Sequence, residues 1–223
     1  MGREFESLVR EFFSRRFPRD LASLIESETG GLSIAPYVFV EYNPRLLAEV
    51  LQIYRELGLD PRQVLECMAQ HELGHVSQHA EALAKCPDTL VEAAELDPEV
   101  LSTATDPWVN TKFVTKECRK VLDKLRQIYR EAWFRQVEPS KEYLDYLLDE
   151  SRKGDLDATK MYFRLVPELT ESDIRRYKLK GTIHEKIWRE LKEIERLSIA
   201  GDLCSALKKL LELCNRYGLR CRR

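Results

Sequence analysis

Three of the four histidines in this chain stand within nine residues, at positions 71, 75 and 79 of the segment MAQHELGHVSQH. His71, Glu72 and His75 compose H-E-x-x-H. On a helix, positions i and i+4 lie one above the other, so two imidazoles can converge on one divalent cation. The glutamate between them sits beside such an ion rather than on it, where a carboxylate can take a proton from water that the ion has activated. The chemistry that fits is metal-assisted hydrolysis. It would use His71 and His75 as ligands, Glu72 as catalytic base and one zinc per chain as the cofactor. The competing reading is an ordinary helix whose histidines are satisfied by buried hydrogen bonds.

Projected as a helix from Asp60 onward, Val64, Leu65, Met68 and Leu83 define an apolar face, and the motif falls on that same face. Imidazoles and a carboxylate turned toward a core are costly unless hydrogen-bonded or metal-bound, which favours the metal. A third ligand must come from elsewhere. His79 continues the row at i+8, but an unbroken helix sets its Cα about 12 Å from that of His71, which makes it a residue supporting the ligands from behind or one lining the cleft. Glu95 follows on a short helix whose apolar positions, Leu90, Val91 and Ala94, lie to one side of it. Glu117 flanks the stripe Phe113, Val114, Val121, Leu125 and Ile128 and is preferred narrowly as the third metal ligand. Each of these two glutamates also fits a solvated surface position. His184, in GTIHEKIW, is a candidate donor to an oxyanion, and a lone histidine beside a tryptophan reads as structural too.

The elements that must position these residues are almost all helical. GGLSIAPYVFVEYN is the exception, a β-branched and aromatic run that reads as a strand from Tyr37 to Tyr42, with Pro36 suited to an edge strand or a strand start. Asn43-Pro44 reads as an N-cap with proline at the first helical position, opening a helix that stops at Gly58. Asp60-Pro61 repeats the signal, with Gln63 placed for a capping box, and this helix carries the histidines to Lys85. A short helix spans residues 88–97 and STATDPW reads as a turn. Asp106-Pro107 then opens a long helix to about Val137. Ser140 and Thr170 read as caps of further helices. The expected organisation is a core over residues 1–137 and a helical extension or subdomain over 138–223, with a single domain as the alternative.

The order strand, helix, histidine helix resembles the zincin metallopeptidases, specifically the gluzincin-like and SprT-like minimal zincins. The resemblance covers roughly residues 32–85, from YVFVEYNPRLL to VLECMAQHELGHV. It implies an α+β, predominantly helical fold: a small edge strand or sheet pairing with substrate backbone, an active-site helix, and added C-terminal helices. It also implies a peptide or protein substrate, His71 and His75 on zinc, and Glu72 as the base. The spacing of Glu95 from His75 resembles thermolysin-like gluzincins, and NTKFVTKECRKVLD loosely resembles the second-helix segment of small gluzincin-like proteins. The metzincin continuation, with glycine and a third histidine, is absent. Alternatives are a latent zincin-fold binding protein and a nucleic-acid-associated protease.

Composition limits the remaining classes. Lys+Arg 36 against Asp+Glu 38 gives a net charge of −2, so no global basic field argues for nucleic acid. Only the terminal LRCRR is an unopposed basic cluster. The high charged fraction, 33%, suits a surface laced with ion pairs, as in thermophilic proteins. There is no run of eighteen apolar residues to span a membrane. Phe5, Leu8, Val9, Phe12 and Phe13 recur at helical spacing, which reads as an amphipathic helix docking on its own domain rather than a secretory signal. The six cysteines form no close C-x-x-C pair. Buried free thiols and a cytoplasmic location are the expectation, with a disulfide among Cys204, Cys214 and Cys221 conceivable in a thermophile.

Overall fold

The computed structural model describes residues 2–15, 23–26, 32–35 and 39–223, with side chains described for Glu4–Arg15 and from Tyr42 onward. The protein is predominantly helical and forms two compact units. The first comprises Met1–Glu81 and Val109–Leu125, the second Ala82–Trp108 and Arg126–Arg223.

In the first unit, helix α1 (Gly2–Arg15) buries Phe5, Val9 and Phe13, and the ring of Phe13 stacks on Tyr42 at 4.3 Å. That is the docked amphipathic helix the apolar spacing requires. Three short strands, β1 (Ser23–Glu26), β2 (Leu32–Ala35) and β3 (Phe39–Tyr42), pair in the order β1-β3-β2. β3 runs parallel to β1 and antiparallel to β2, so the strand expected at an edge is the middle one. Pro36 lies outside the described residues. Asn43 caps helix α2 (Pro44–Glu56), its side chain accepting from the Leu46 amide at 3.0 Å. Helix α3 (Pro61–Lys85) carries the histidines, and at its start Asp60 Oδ1 accepts from the Arg62 amide rather than sharing a box with Gln63. Val64, Leu65, Cys67, Ala69 and His75 are buried along α3, whereas Leu83 is exposed and does not belong to the apolar face assigned to it.

The second unit holds helices α4 (Pro87–Ala93) and α5 (Pro98–Trp108). Asp106-Pro107 does not open a helix, and STATDPW is not a turn, because α5 runs through both. Proline lacks the N–H of the helical ladder. The chain resumes in the wider π register directly afterwards, over Val109–Phe113, with the Val114 amide bonded to the Val109 carbonyl at 3.2 Å. Helix α6 (Lys116–Gln136) starts separately. Thr115 Oγ1 accepts from the Cys118 amide at 3.3 Å, a cap that the sequence reading overlooked.

Helices α7 (Lys141–Arg152), α8 (Leu156–Leu165), α9 (Glu171–Arg176), α10 (Ile183–Ala200) and α11 (Leu203–Tyr217) complete the second unit. Leu144, Tyr162, Leu165, Ile187, Ile194 and Leu207 are fully buried in it. Ser140 and Thr170 cap α7 and α9 as the sequence requires, and Thr170 shares a capping box with Asp173. The C-terminal residues return to the unit's first loop, where the Asp97 amide donates to the Cys221 carbonyl at 2.8 Å.

The expectation of free thiols is overturned, since all six cysteines are paired. Cys67–Cys118 lies in the first unit, Cys86–Cys204 and Cys214–Cys221 in the second. Partners 51 and 118 residues apart leave no trace in local spacing, which is why those two links were illegible, whereas Cys214–Cys221 falls among the C-terminal cysteines for which a disulfide was conceivable.

Candidate metal centre

His71 and His75 are one turn apart on α3, and the structure turns them toward each other. Their Nε2 atoms stand 3.0 Å apart, with the rings nearly perpendicular at 86°. The outer nitrogens are engaged elsewhere. His71 Nδ1 lies 2.9 Å from Asn110 Oδ1, and His75 Nδ1 lies 3.3 Å from Gln78 Oε1. An amide oxygen only accepts, so with these oxygens as partners each Nδ1 carries a proton, and the two Nε2 atoms, at hydrogen-bond distance, share either a proton or a metal cation.

Two nitrogens bound at about 2.0–2.1 Å to a tetrahedral zinc would be roughly 3.4 Å apart. The observed separation is close to that value, and the engaged Nδ1 atoms match the way metal-bound histidines are usually oriented. The residues therefore fit a divalent cation with an affinity for imidazole.

Packing brings α3 against the π-helical turn at residues 109–113. Gly74, the second variable residue of the motif, has no Cβ, and one built there would lie 2.6 Å from Val109 Cγ1 and 3.0 Å from Phe113 Cδ1. Gln70 Oε1 accepts from the Thr115 amide at 3.3 Å, and Cys67, one turn before His71, is bonded to Cys118. His75 is buried, while His71 and Glu72 are half-buried.

The remaining sequence candidates separate clearly. His79 lies behind His75, ring centroids 5.9 Å apart. Burial, with His75 adding repulsion, pulls its pKa down to about 4. Glu117 is exposed in the first turn of α6. Glu95 is exposed and paired with Arg222 at 2.8 Å. His184 is fully buried in the second unit, between Tyr162 Oη and Asp145 Oδ1, each at 2.8 Å. Both its ring nitrogens are thereby engaged, which suits the structural reading and not an oxyanion donor. Sequence reasoning missed Gln78 and Asn110. Gln78 was within reach, three residues past His75 on the same helix face. Asn110 is separated from His71 by 39 positions and carries no local signal.

Comparison with known proteins yields no family model that matches this chain, and no curated protein or solved structure that matches it.

Proposed function

We propose that this protein is a zinc-dependent metallopeptidase with the α+β arrangement of a minimal zincin. The observation that carries the reading is the 3.0 Å approach of two Nε2 atoms whose Nδ1 partners are amide oxygens. A cation bound by both imidazoles accounts for two Nε2 atoms brought to one point.

His71 and His75 would hold the metal. Glu117, the third ligand that the sequence favours, is exposed in the first turn of α6, so the two imidazoles carry the proposal. Bound zinc supplies a Lewis acid that polarises a carbonyl and lowers the pKa of water toward neutrality. Glu72, next to His71 on α3, takes the proton of the attacking water at its carboxylate and delivers it to the leaving amine. The substrate class is peptide or protein.

The three disulfides bear on location. They suit an oxidising compartment or the interior of a hyperthermophile, and the cytoplasmic placement agrees only with the second. No described helix is long and apolar enough to cross a membrane.

The test is metal analysis joined to one substitution. Purified protein should carry about one zinc per chain, the number a single mononuclear site holds. Glu72→Gln should keep that zinc and lose peptidase activity on an unfolded protein substrate. Zinc retained by wild-type protein that hydrolyses no peptide would favour a latent, binding role. Protein that takes up no zinc would remove the reading altogether.

A further inference from the structure

We infer that Arg119 and Asn110 form a positioning device for His71: Arg119 holds the π-helical turn, and the turn presents Asn110 Oδ1 to His71 Nδ1. The inference rests on reading His71 as a metal ligand, and it names what sets that ligand's readiness.

The argument begins with the turn. The turn Val109–Phe113 is in π register, a form that recurs as single turns where function constrains the backbone, and its carbonyls accept from a side chain. Arg119 takes two of them. Its Nε donates to the Asn110 carbonyl at 3.0 Å, and Nη2 donates to the Thr111 carbonyl. A guanidinium is protonated at every working pH and offers its donors in a fixed fork, so this clamp does not loosen with pH. The backbone of the residue whose side chain meets His71 is thus held directly by Arg119.

The other side of the turn is closed as well. Gly74 lets α3 approach Val109 and Phe113 more closely than any side chain would permit. Cys118, the neighbour of Arg119, is bonded to Cys67, one turn before His71. A covalent link therefore runs from the helix of His71 to the helix of Arg119, and the π turn lies between the two. The Thr115 cap fixes where α6 begins and hence where Arg119 points.

The consequence is a choice of tautomer. With Asn110 Oδ1 accepting at Nδ1, the proton of neutral His71 is kept on Nδ1, and the Nε2 lone pair faces His75, where a metal would be held. Without that acceptor the proton can move to Nε2 and occupy the coordinating position. Removing such an outer partner typically weakens metal affinity about 10- to 100-fold.

The experiment reads the tautomer directly by long-range 1H–15N correlation NMR of the metal-free, full-length protein, at about two pH units above the ordinary imidazole pKa. Wild-type His71 is expected as the Nδ1–H form. Asn110→Ala and Arg119→Gln should both move it toward Nε2–H, and Asn110→Asp, which keeps an acceptor, should restore Nδ1–H. Zinc titration of the same samples should show a Kd raised about 10- to 100-fold in Asn110→Ala and returned toward wild type in Asn110→Asp. Wild-type His71 found as Nε2–H overturns the inference without recourse to any variant. So does an unshifted tautomer in a folded Arg119→Gln protein. Protein that binds no zinc yet shows the expected tautomer changes would instead sink the peptidase reading and leave the positioning relationship standing.

Discussion

Gly74 and Val109 approach so closely that a Cβ on the glycine would stand 2.6 Å from the valine Cγ1. Val109 is fully buried and β-branched, so its methyl has no free rotamer into which to retreat. Gly74→Ala should therefore destabilise the protein by about 1–3 kcal/mol, the usual cost of overpacking. The normal preference for alanine over glycine inside a helix would be outweighed. Denaturant unfolding would measure the loss. Because the displaced segment carries Asn110, zinc affinity should fall alongside it. An alanine variant as stable as wild type would mean that the helix and the π turn are not in this contact.

Cys67 and Cys118 close a loop of about 50 residues, for which chain entropy gives roughly 4 kcal/mol of stabilisation. The paired Cys67→Ala, Cys118→Ala variant should lose stability of that order. Cys214 and Cys221, only seven residues apart, should contribute less. Non-reduced peptide mapping should recover all three links, and the folded protein should present no thiol to a titrating reagent. Titration of several free thiols under non-reducing purification would contradict the pairing.

His184 and Asp145 predict a pH dependence whose sign can be worked out. Burial lowers the pKa of His184 below that of a free imidazole, against the opposing pull of Asp145. Lys141, hydrogen-bonded to Asp145, is the main cause holding that carboxyl below its usual range, with His184 adding to it. As pH falls below about 6.5, the unfolded chain takes up a proton at His184 before the folded one does, so stability declines. The Asp145 contribution is present above its unfolded pKa of about 3.9 and is lost as pH falls through its lower folded value. Unfolding free energy should therefore fall between about pH 7 and 5 in wild type, and His184→Gln should flatten that slope. Burial raises the Tyr162 pKa, so its hydroxyl stays protonated and donates to His184. Losing this partner should lower overall stability by about 1–3 kcal/mol without altering zinc content. Loss of zinc in a folded His184→Gln protein would tie this residue to the metal centre after all.

What was legible in the sequence follows from how far each interaction reaches along the chain. The motif pair His71 and His75, the Asn43 cap and the bounds of α3 depend on residues within one or two helical turns, and periodicity reports them directly. Asp106-Pro107 misled because the same dipeptide serves as a helix start or sits inside a helix, and only the path of α5 decides between them. Leu83 was assigned to the core by angle alone, yet it lies near the end of α3, where no neighbour covers that face. The disulfides, Asn110 and Arg119 depend on pairings between separate elements. No spacing rule encodes them, since each residue is ordinary for the helix or turn in which it stands.

Glu117 offers a prediction for zinc that its surroundings decide. It is exposed at the start of α6, where an acidic side chain already has a reason to be, favouring the helix dipole. That position calls for no bound cation. Glu117→Gln should therefore leave zinc affinity unchanged, as measured by competition with a fluorescent chelator. A loss of about 10-fold or more, the size expected on removing even an outer partner, would return the third position to α6.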